Sequence, residues 1–359
     1  MAIYEKLETR PAPLGVSGPI KWIKENLFPS PISSILTILS LVLLYYIIPP
    51  LLNWMIFDAT WTGTKEEITK HGARWIFIYE KFNQFIYGFY PEDLYWRPNL
   101  ILALFVASIV LFKKIRHIKV RATILILFPI ASFILIHGGL GLEVVPTTKW
   151  GGLMLTMVVA SVGIVVSFPI GIIFALGRQS NMPIIKTISV LYIEFIRGVP
   201  LITLLFMSSV ILPLFFPEGV TFDKLLRALI GVTLFQAAYL AEVIRGGLQA
   251  IPKGQYEAAD SIGLSYWQAM GLVILPQALK ISIPNIVGSF VALFKDTTLV
   301  LIIGLFDVLA MVTLTTSDPH WLGFETEGYV FVTMIYWIIC FSMSKYAQSV
   351  ENRFNTDHK

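Results

Sequence analysis

The stretch "EAADSIGLSYWQAMGLVILPQAL", Glu257–Leu279, begins as a polar island and turns apolar partway along, with hydrophobic chain on both sides of it. Pro252, just upstream, suits a first helical turn, where its missing N–H would be unpaired in any case. Gly263 suits the left-handed position that ends a helix. Ser265, with Gln268 three residues later, spells a capping box for a new helix. The expectation is therefore helix, sharp stop, second helix. On the first helix Tyr256, Ala259 and Ile262 recur at helical spacing, while Glu257 and Asp260 share another face. Two readings follow from these residues alone. One is an amphipathic helix resting on a membrane surface. The other is a protruding contact gripped by a partner, with Ala258 and Ala259 permitting close approach and Glu257 offering an acidic handle.

Composition explains why such an island is unusual here. Of 359 residues, 56% are hydrophobic and only 14% charged, and mean hydropathy is +0.73. An ordinary soluble domain is about a quarter charged, so this chain lacks the material for a polar skin. Long apolar runs meet the requirement of ~20 residues for a bilayer span, which makes the chain an all-α integral membrane protein. The net charge of +4 is too small to signal nucleic acid. A single cysteine, Cys340, excludes an internal disulfide and a cysteine-based metal site. His71, His117, His137, His320 and His358 match no metal spacing, and no Ser or Thr has a base pattern beside it. The polar N-terminus lacks the pattern of a cleavable signal peptide, so the first span is expected to act as an uncleaved one.

We read about eight spans: Ser33–Phe57, kinked at Pro49 and Pro50, then Asn99–Phe112, Ala122–Leu140, Gly151–Leu176, Ile188–Phe215, Leu225–Ile244, a seventh within Ile283–Leu305, and Tyr329–Met343. Basic residues in short loops set orientation. The loop "KKIRHIKVR" after span two has five basic residues and no acid, and Arg178, Lys186, Arg245, Lys253, Lys280, Lys345 and Arg353 fall on the same side. The loop between spans seven and eight carries Asp307, Asp318, Glu325 and Glu327, with no Lys or Arg from Asp296 to Ser344. Both termini are thus expected in the cytoplasm. Lys65, Lys70, Arg74, Lys81, Arg97, Lys149, Lys224 and Arg227 run against the pattern without reversing it. The resulting organisation is a cytoplasmic segment 1–32, three accessory spans over 33–140 with an outer segment 58–97, a core over 150–350 with a cytoplasmic loop 246–280, and a tail 351–359. The outer segment is rich in aromatics, which fits an amphipathic stretch at the headgroup level or a docking surface for an outside partner.

Ionisable groups inside spans cost on the order of 2.5–3.5 kcal/mol each and need an account. Glu194 and Arg197, in "EFIRG", share a helix face, and Glu242 and Arg245 repeat the arrangement in "EVIRG". They read as structural ion pairs within or between spans, or as part of an inner gate. "KDTT", Lys295–Thr298, lies about 18 Å into a span that enters near Ile283, past the middle of a ~30 Å core. Lys295 and Asp296 offer both signs of charge, with Thr297 and Thr298 as hydroxyl partners. They suit an internal ion pair or a path for a substrate bearing an ammonium and a carboxylate, and Thr233, Gln236, Asn285 and Ser289 extend a polar lining more weakly.

"EAADSIG…VILP" resembles the EAA signature of permease subunits of bacterial ABC importers. Glu257, Ala258, Ala259, Gly263, Leu275 and Pro276 match in order, and Val273 stands where that pattern has isoleucine. "EFIRGVPLI", "AAYLAEVIRGGLQAIPKGQYEAA", "LPQALKISIPNIVGSFVALFKDTTL" and "GLMLTMVVASVGIVVSFPIGIIFALGR" are similar to the polar amino acid subfamily, and the extended N-terminal layout looks like the permeases of general L-amino acid uptake systems. The resemblance covers roughly Gly151–Arg353. It implies a type I importer core in the C-terminal five spans and an inner-membrane location. It also implies that the helix carrying Glu257, Ala258, Ala259, Gly263 and Pro276 couples to a cytoplasmic ATPase dimer. Further implied partners are a second permease subunit, either a sister chain or a second copy, and a periplasmic amino acid-binding protein. The chain has no G-x-x-x-x-G-K-[ST] loop, so no cofactor is expected on it and ATP is assigned to the partner subunit. An ion-gradient-driven secondary transporter is the competing class; it would need no docking helix and often shows two similar halves, and none are found. An intramembrane enzyme would need paired catalytic residues.

Overall fold

The computed structural model describes residues 18–62, 72–115, 117–217 and 222–355, and among these residues there are helices and isolated backbone bridges but no strand. Residues 1–17 of the N-terminal segment, the end of the tail from 356, and Lys65, Lys70, His71, Arg116 and His358 lie outside them. The chain divides into two compact units, Met1–Ile76 and Phe77–Lys359. That boundary falls inside the outer segment.

In the first unit, α1 (Pro19–Leu27) precedes α2 (Pro31–Leu52). Ser30 caps α2 by accepting the Ser33 N–H, and Pro31 takes the first helical position. The expected irregularity at Pro49 and Pro50 is followed by a widened turn over Asn53–Phe57. There the Asp58 N–H reaches the Asn53 carbonyl at 2.8 Å. The chain then closes on itself through the Trp75 indole, which donates to the Met55 carbonyl at 2.8 Å.

The second unit begins with α3 (Ile76–Tyr87), α4 (Trp96–Lys114) and α5 (Ile118–His137). The remaining helices are α6 (Gly152–Gln179), α7 (Pro183–Gly198), α8 (Leu201–Phe206), α9 (Lys224–Gln249), α10 (Lys253–Ser261), α11 (Tyr266–Ala269), α12 (Leu275–Asp296), α13 (Val308–Thr316) and α14 (Glu325–Asn355). The α6–α9 pair is the spine, with α12 against α9 and α14, and α7 against α6 and α9. Ala237, Ala238 and Ala241 on α9 are fully buried. A side chain at Gly247 would sit 2.0 Å from Ser282 Oγ and 2.5 Å from the Ala278 carbonyl. Small residues therefore bring α9 close to α12 at Gly247 and close to α6 where Gly171 meets Ala237 and Ala241, as expected where lipid supplies no hydrophobic drive between helices.

Six helical stretches among the described residues are long and apolar enough to cross a membrane, and a bent pair makes seven. The third expected span is present as α5, of which Leu127–His137 forms a shorter apolar helix. The fifth is not one rod: α7 and the Leu201–Phe215 stretch meet at 108°. Pro200 has no N–H to continue the ladder and pushes Val199 to extended backbone, observed at φ −113°, ψ 135°. The seventh is longer than expected, running from Tyr266 to Ile303 through a widened turn at Met270–Ile274. The loop expected before the eighth holds a helix, α13, whose N-terminus is capped by Asp307 accepting the Ala310 N–H at 2.9 Å.

Candidate functional site

The opening stretch folds as helix, stop and helix. Pro252 stands immediately before α10, one position earlier than a first-turn residue. Gly263 has φ +77°, conformational ground that only glycine occupies freely. Its N–H and that of Leu264 close on the Asp260 and Ala259 carbonyls, satisfying two of the carbonyls a helix end leaves bare. Ser265 and Gln268 form the expected reciprocal cap at the start of α11. Of the signature residues, Ala259 is buried, while Glu257 and Ala258 are exposed and Pro276 opens α12. Ile262 does not extend the buried face; it stands past the helix end, 73% exposed. Two contacts tie α10 to its neighbours. Gln277 Nε2 donates to Gln255 Oε1 at 3.1 Å, and the Tyr256 hydroxyl donates to the Leu248 carbonyl at 3.4 Å.

Above α10 lies a charged lattice. Glu242 and Arg245 pair as their spacing predicts, through Nε at 3.0 Å and a second contact from Nη2. For Glu194 and Arg197 the pairing runs between helices, the other of the two expected arrangements. Glu194 is held by Arg178 of α6, 2.8 Å from Nη2 to Oε1, and Arg197 approaches Glu242 at 3.9 Å while its guanidinium lies 5.6 Å from the Tyr239 ring centre. Arg178 also reaches Glu242 at 3.5 Å. Cross-links between α6, α7 and α9 take the place of a link along α7, which packs against both α6 and α9. In the sequence Arg178 reads only as a loop cation; it stands in the last turn of α6, and nothing near it in sequence reveals its two partners. A cavity of about 760 Å³ opens beside this lattice, lined by Arg178, Lys186, Arg245, Gln249, Tyr256 and Asp260 among others.

The "KDTT" run caps α12. Lys295 is exposed, Asp296 and Thr298 are half-buried and Thr297 is buried. Thr297 and Thr298 turn their hydroxyls back onto the Phe294 and Lys295 carbonyls. Among the described residues no ion pair joins Lys295 or Asp296 to another group, so the run does not tie spans together by charge. Thr297 instead lies 3.5 Å from the Tyr336 hydroxyl, which donates to Asp307 Oδ2 at 3.3 Å. Thr156 of α6 accepts the Val308 N–H at 3.1 Å. Asp307, expected in an exposed acidic loop, is thus fully buried where α6, α12, α13 and α14 converge, and Glu327 is buried as well. Burial pushes the Asp307 carboxyl above its ordinary value, against the pull of the N–H groups at the start of α13. Thr233 and Gln236 are buried in α9.

Part of the outer aromatic segment packs inward. Phe77, Phe85 and Tyr90 are buried. Phe77 packs on Phe85, Trp321 and Phe324, and Phe85 on Phe331 of α14, with ring centres 5.3–5.7 Å apart. The Tyr90 hydroxyl donates to the Ile136 carbonyl, and Arg97 to that of Glu143. Residues 77–97 thus contribute packing to the second unit, with Tyr79, Phe82, Phe89 and Trp96 left outward.

Residues 167–356 match the family described as binding-protein-dependent transport system inner membrane component. The chain is 56% identical over 352 residues to the inner membrane amino-acid ABC transporter permease protein YhdY of Escherichia coli (strain K12), covering 97% of this chain and 96% of that one. It is 41% identical, over a 428-residue alignment, to the glutamate/glutamine/aspartate/asparagine transport system permease protein BztC of Rhodobacter capsulatus (99% and 98% covered). Among solved structures, the crystal structure of an amino acid ABC transporter with histidines aligns with a TM-score of 0.50 at 30% identity, over 56% of this chain and 92% of that chain.

Proposed function

The chain belongs to the family of binding-protein-dependent transport system inner membrane components, and from that premise we propose that it is the permease subunit of an ATP-driven importer moving polar L-amino acids from periplasm to cytoplasm. The names of its relatives support the substrate class. The chain is not itself an enzyme in this reading. ATP is bound by a cytoplasmic ATPase dimer, a periplasmic binding protein delivers the amino acid, and a second permease subunit, a sister chain or another copy, completes the pore. Both termini face the cytoplasm, and loop 246–280 carries the coupling contact beneath the core 150–350.

The observation that carries this reading is the state of Glu257 and Ala258. They are exposed on a short helix stopped by Gly263 and tied by Gln277 to the turn that leads into α12. A force applied to α10 is thereby passed to a long helix bearing Lys295 and Asp296. Alternating access follows if α10 follows closure of the two ATPases and α12 moves with it. The test is reconstitution with the ATPase, binding protein and any sister permease encoded beside it. Glu257→Lys is expected to remove more than about 90% of ATP-driven uptake, on the scale of a reversed charge at a docking contact, with membrane insertion intact. Unchanged ATPase binding and uptake would refute the coupling role, and uptake without any ATPase would move the chain to the ion-gradient class.

Lys295, Asp296, Thr297 and Thr298 are assigned to the substrate path. The exposed ammonium and half-buried carboxylate at the end of α12 offer both charges to a zwitterion. Asp296→Asn is expected to lower uptake and substrate-stimulated ATP hydrolysis together. Retention of both would remove Asp296 from the path.

A further inference from the structure

The loop "HGGLGLE", His137–Glu143, leaves α5 and has no part in the roles assigned above. Gly139 and Leu142 exchange both backbone hydrogen bonds, at 3.0 and 3.1 Å, so the chain reverses in a tight hairpin turn. The two central residues, Leu140 and Gly141, have φ +52° and +92°, the pattern of a type I′ turn. Asn, Asp or Gly ordinarily takes the first of these places. Here it is a leucine, the only non-glycine residue with positive φ among those described. A side chain in that region crowds its own backbone, which glycine avoids.

The side chain held in this way touches nothing. Leu140 is 89% exposed, the barest large apolar residue among those described. A methyl group added at Gly139 or Gly141 would meet no atom within 4 Å, so the tip stands clear of its own chain. The base of the loop is the opposite. A side chain at Gly138 would sit 2.1 Å from the Glu143 carbonyl oxygen. Arg97 donates to that carbonyl at 2.7 Å, the Tyr90 hydroxyl to Ile136 at 2.8 Å and the Trp150 indole to Val145 at 3.3 Å. All three donor residues are buried. A strained, bare apolar tip on a fixed base is preorganised for contact, with little left to order on binding.

The backbone of the tip and its surroundings select the occupant. Among the described residues, the N–H groups of Leu140 and Gly141 have no acceptor. Bare amides are costly in hydrocarbon, which argues against the bilayer. A protein surface supplies acceptors, and the exposed Glu143 and Lys149 give the tip a polar rim of both signs. The loop lies at the Gly152 end of α6, away from Arg178 and α10. In the functional reading above that end faces the periplasm, where the soluble partner is the binding protein.

We infer that Leu140 is a preformed docking tip for the periplasmic amino acid-binding protein, seated in an apolar pocket on that protein's surface. The inference rests on the functional reading for the partner and for the outer side.

The test uses the permease with its ATPase and any sister permease in nanodiscs, and measures affinity for the purified, amino acid-loaded binding protein. Leu140→Gly is expected to weaken binding about tenfold, the scale of one apolar anchor. Its thermal unfolding temperature is expected to hold or rise, since glycine accepts the turn freely. Leu140→Met is expected to keep the affinity. Leu322→Ser, at a second bare leucine that is 70% exposed, is the control and is expected to change nothing. A benzoylphenylalanine photo-crosslinker in place of Leu140 is expected to capture the binding protein. Unchanged affinity in Leu140→Gly, an equal loss in Leu322→Ser, or capture of lipid or another permease chain instead overturns the docking role. An affinity loss matched by a lower unfolding temperature assigns Leu140 to the fold and overturns it too. A parent complex that takes up amino acid yet binds no binding protein overturns the functional reading along with the tip, whereas a parent that binds it and a Leu140→Gly protein that binds it equally overturn the tip alone.

Discussion

The two ends of α6 present opposite solutions to the same problem. Its 28 residues span about 42 Å. At the Gln179 end, Arg178 joins a lattice of half-exposed charges beside a helix whose Glu257 and Ala258 are bare to solvent. At the Gly152 end, backbone pairing with Asp307, a buried carboxylate and a dry aromatic cluster close the structure on itself. The difference teaches where a partner is expected. Surface that a chain finishes alone is buried and hydrogen-bonded. Surface that another chain or lipid finishes stays open, charged and held only at its edges.

The comparison breaks most readily at the aromatic end. Phe85 is fully buried among Phe77 and Phe331, outside the apolar spans where water still drives burial. Phe85→Ala is expected to cost about 3–5 kcal/mol, read as a fall in thermal unfolding temperature in detergent. An unchanged melt would mean that the outer segment is a loose appendage after all.

A second test sharpens the role of charge there. Asp307→Ala removes the acceptor for the Ala310 N–H and is expected to cost about 1–2 kcal/mol. Asp307→Asn keeps an acceptor and is expected to match or exceed the parent at neutral pH. The sign follows from the raised pKa: stability contributed by the protonated group is present at acid pH and declines as pH rises through the folded-state value. The advantage of Asn over Asp should therefore shrink on acidification, and an advantage that grows would contradict the burial of an ionisable carboxyl.

Much of the α10 end was legible because its signals are local. Pro252, Gly263, Ser265 and Gln268 each act within one turn of chain, and they place the helix and its stop. The opposite end was illegible because its partners are distant in sequence. Asp307 reads as an exposed loop acid until α6 and α14 bring Thr156 and Tyr336 to it. The aromatics of α3 read as an interfacial belt because nothing near them in sequence reveals Trp321 and Phe324. Span five reads as continuous because its hydropathy does not falter, although Pro200 stands in it to break the helix. Glu194 and Arg197 satisfy a spacing rule that tertiary packing overrides by offering Arg178 instead.

That override leads to the smallest effect, at the charged end. The Glu194 side chain is 57% exposed, whereas Arg178 is 21% exposed and keeps a second carboxylate, Glu242, at 3.5 Å. Removing the Glu194 charge therefore leaves no buried cation stranded. Half-exposed ion pairs are screened by water and salt, and are worth below about 1 kcal/mol. Glu194→Gln is expected to lower stability by no more than that, with the difference from the parent vanishing at high ionic strength. A larger, salt-independent loss would show that the lattice is a dry structural core like the Asp307 end, and the contrast between the two ends of α6 would no longer hold.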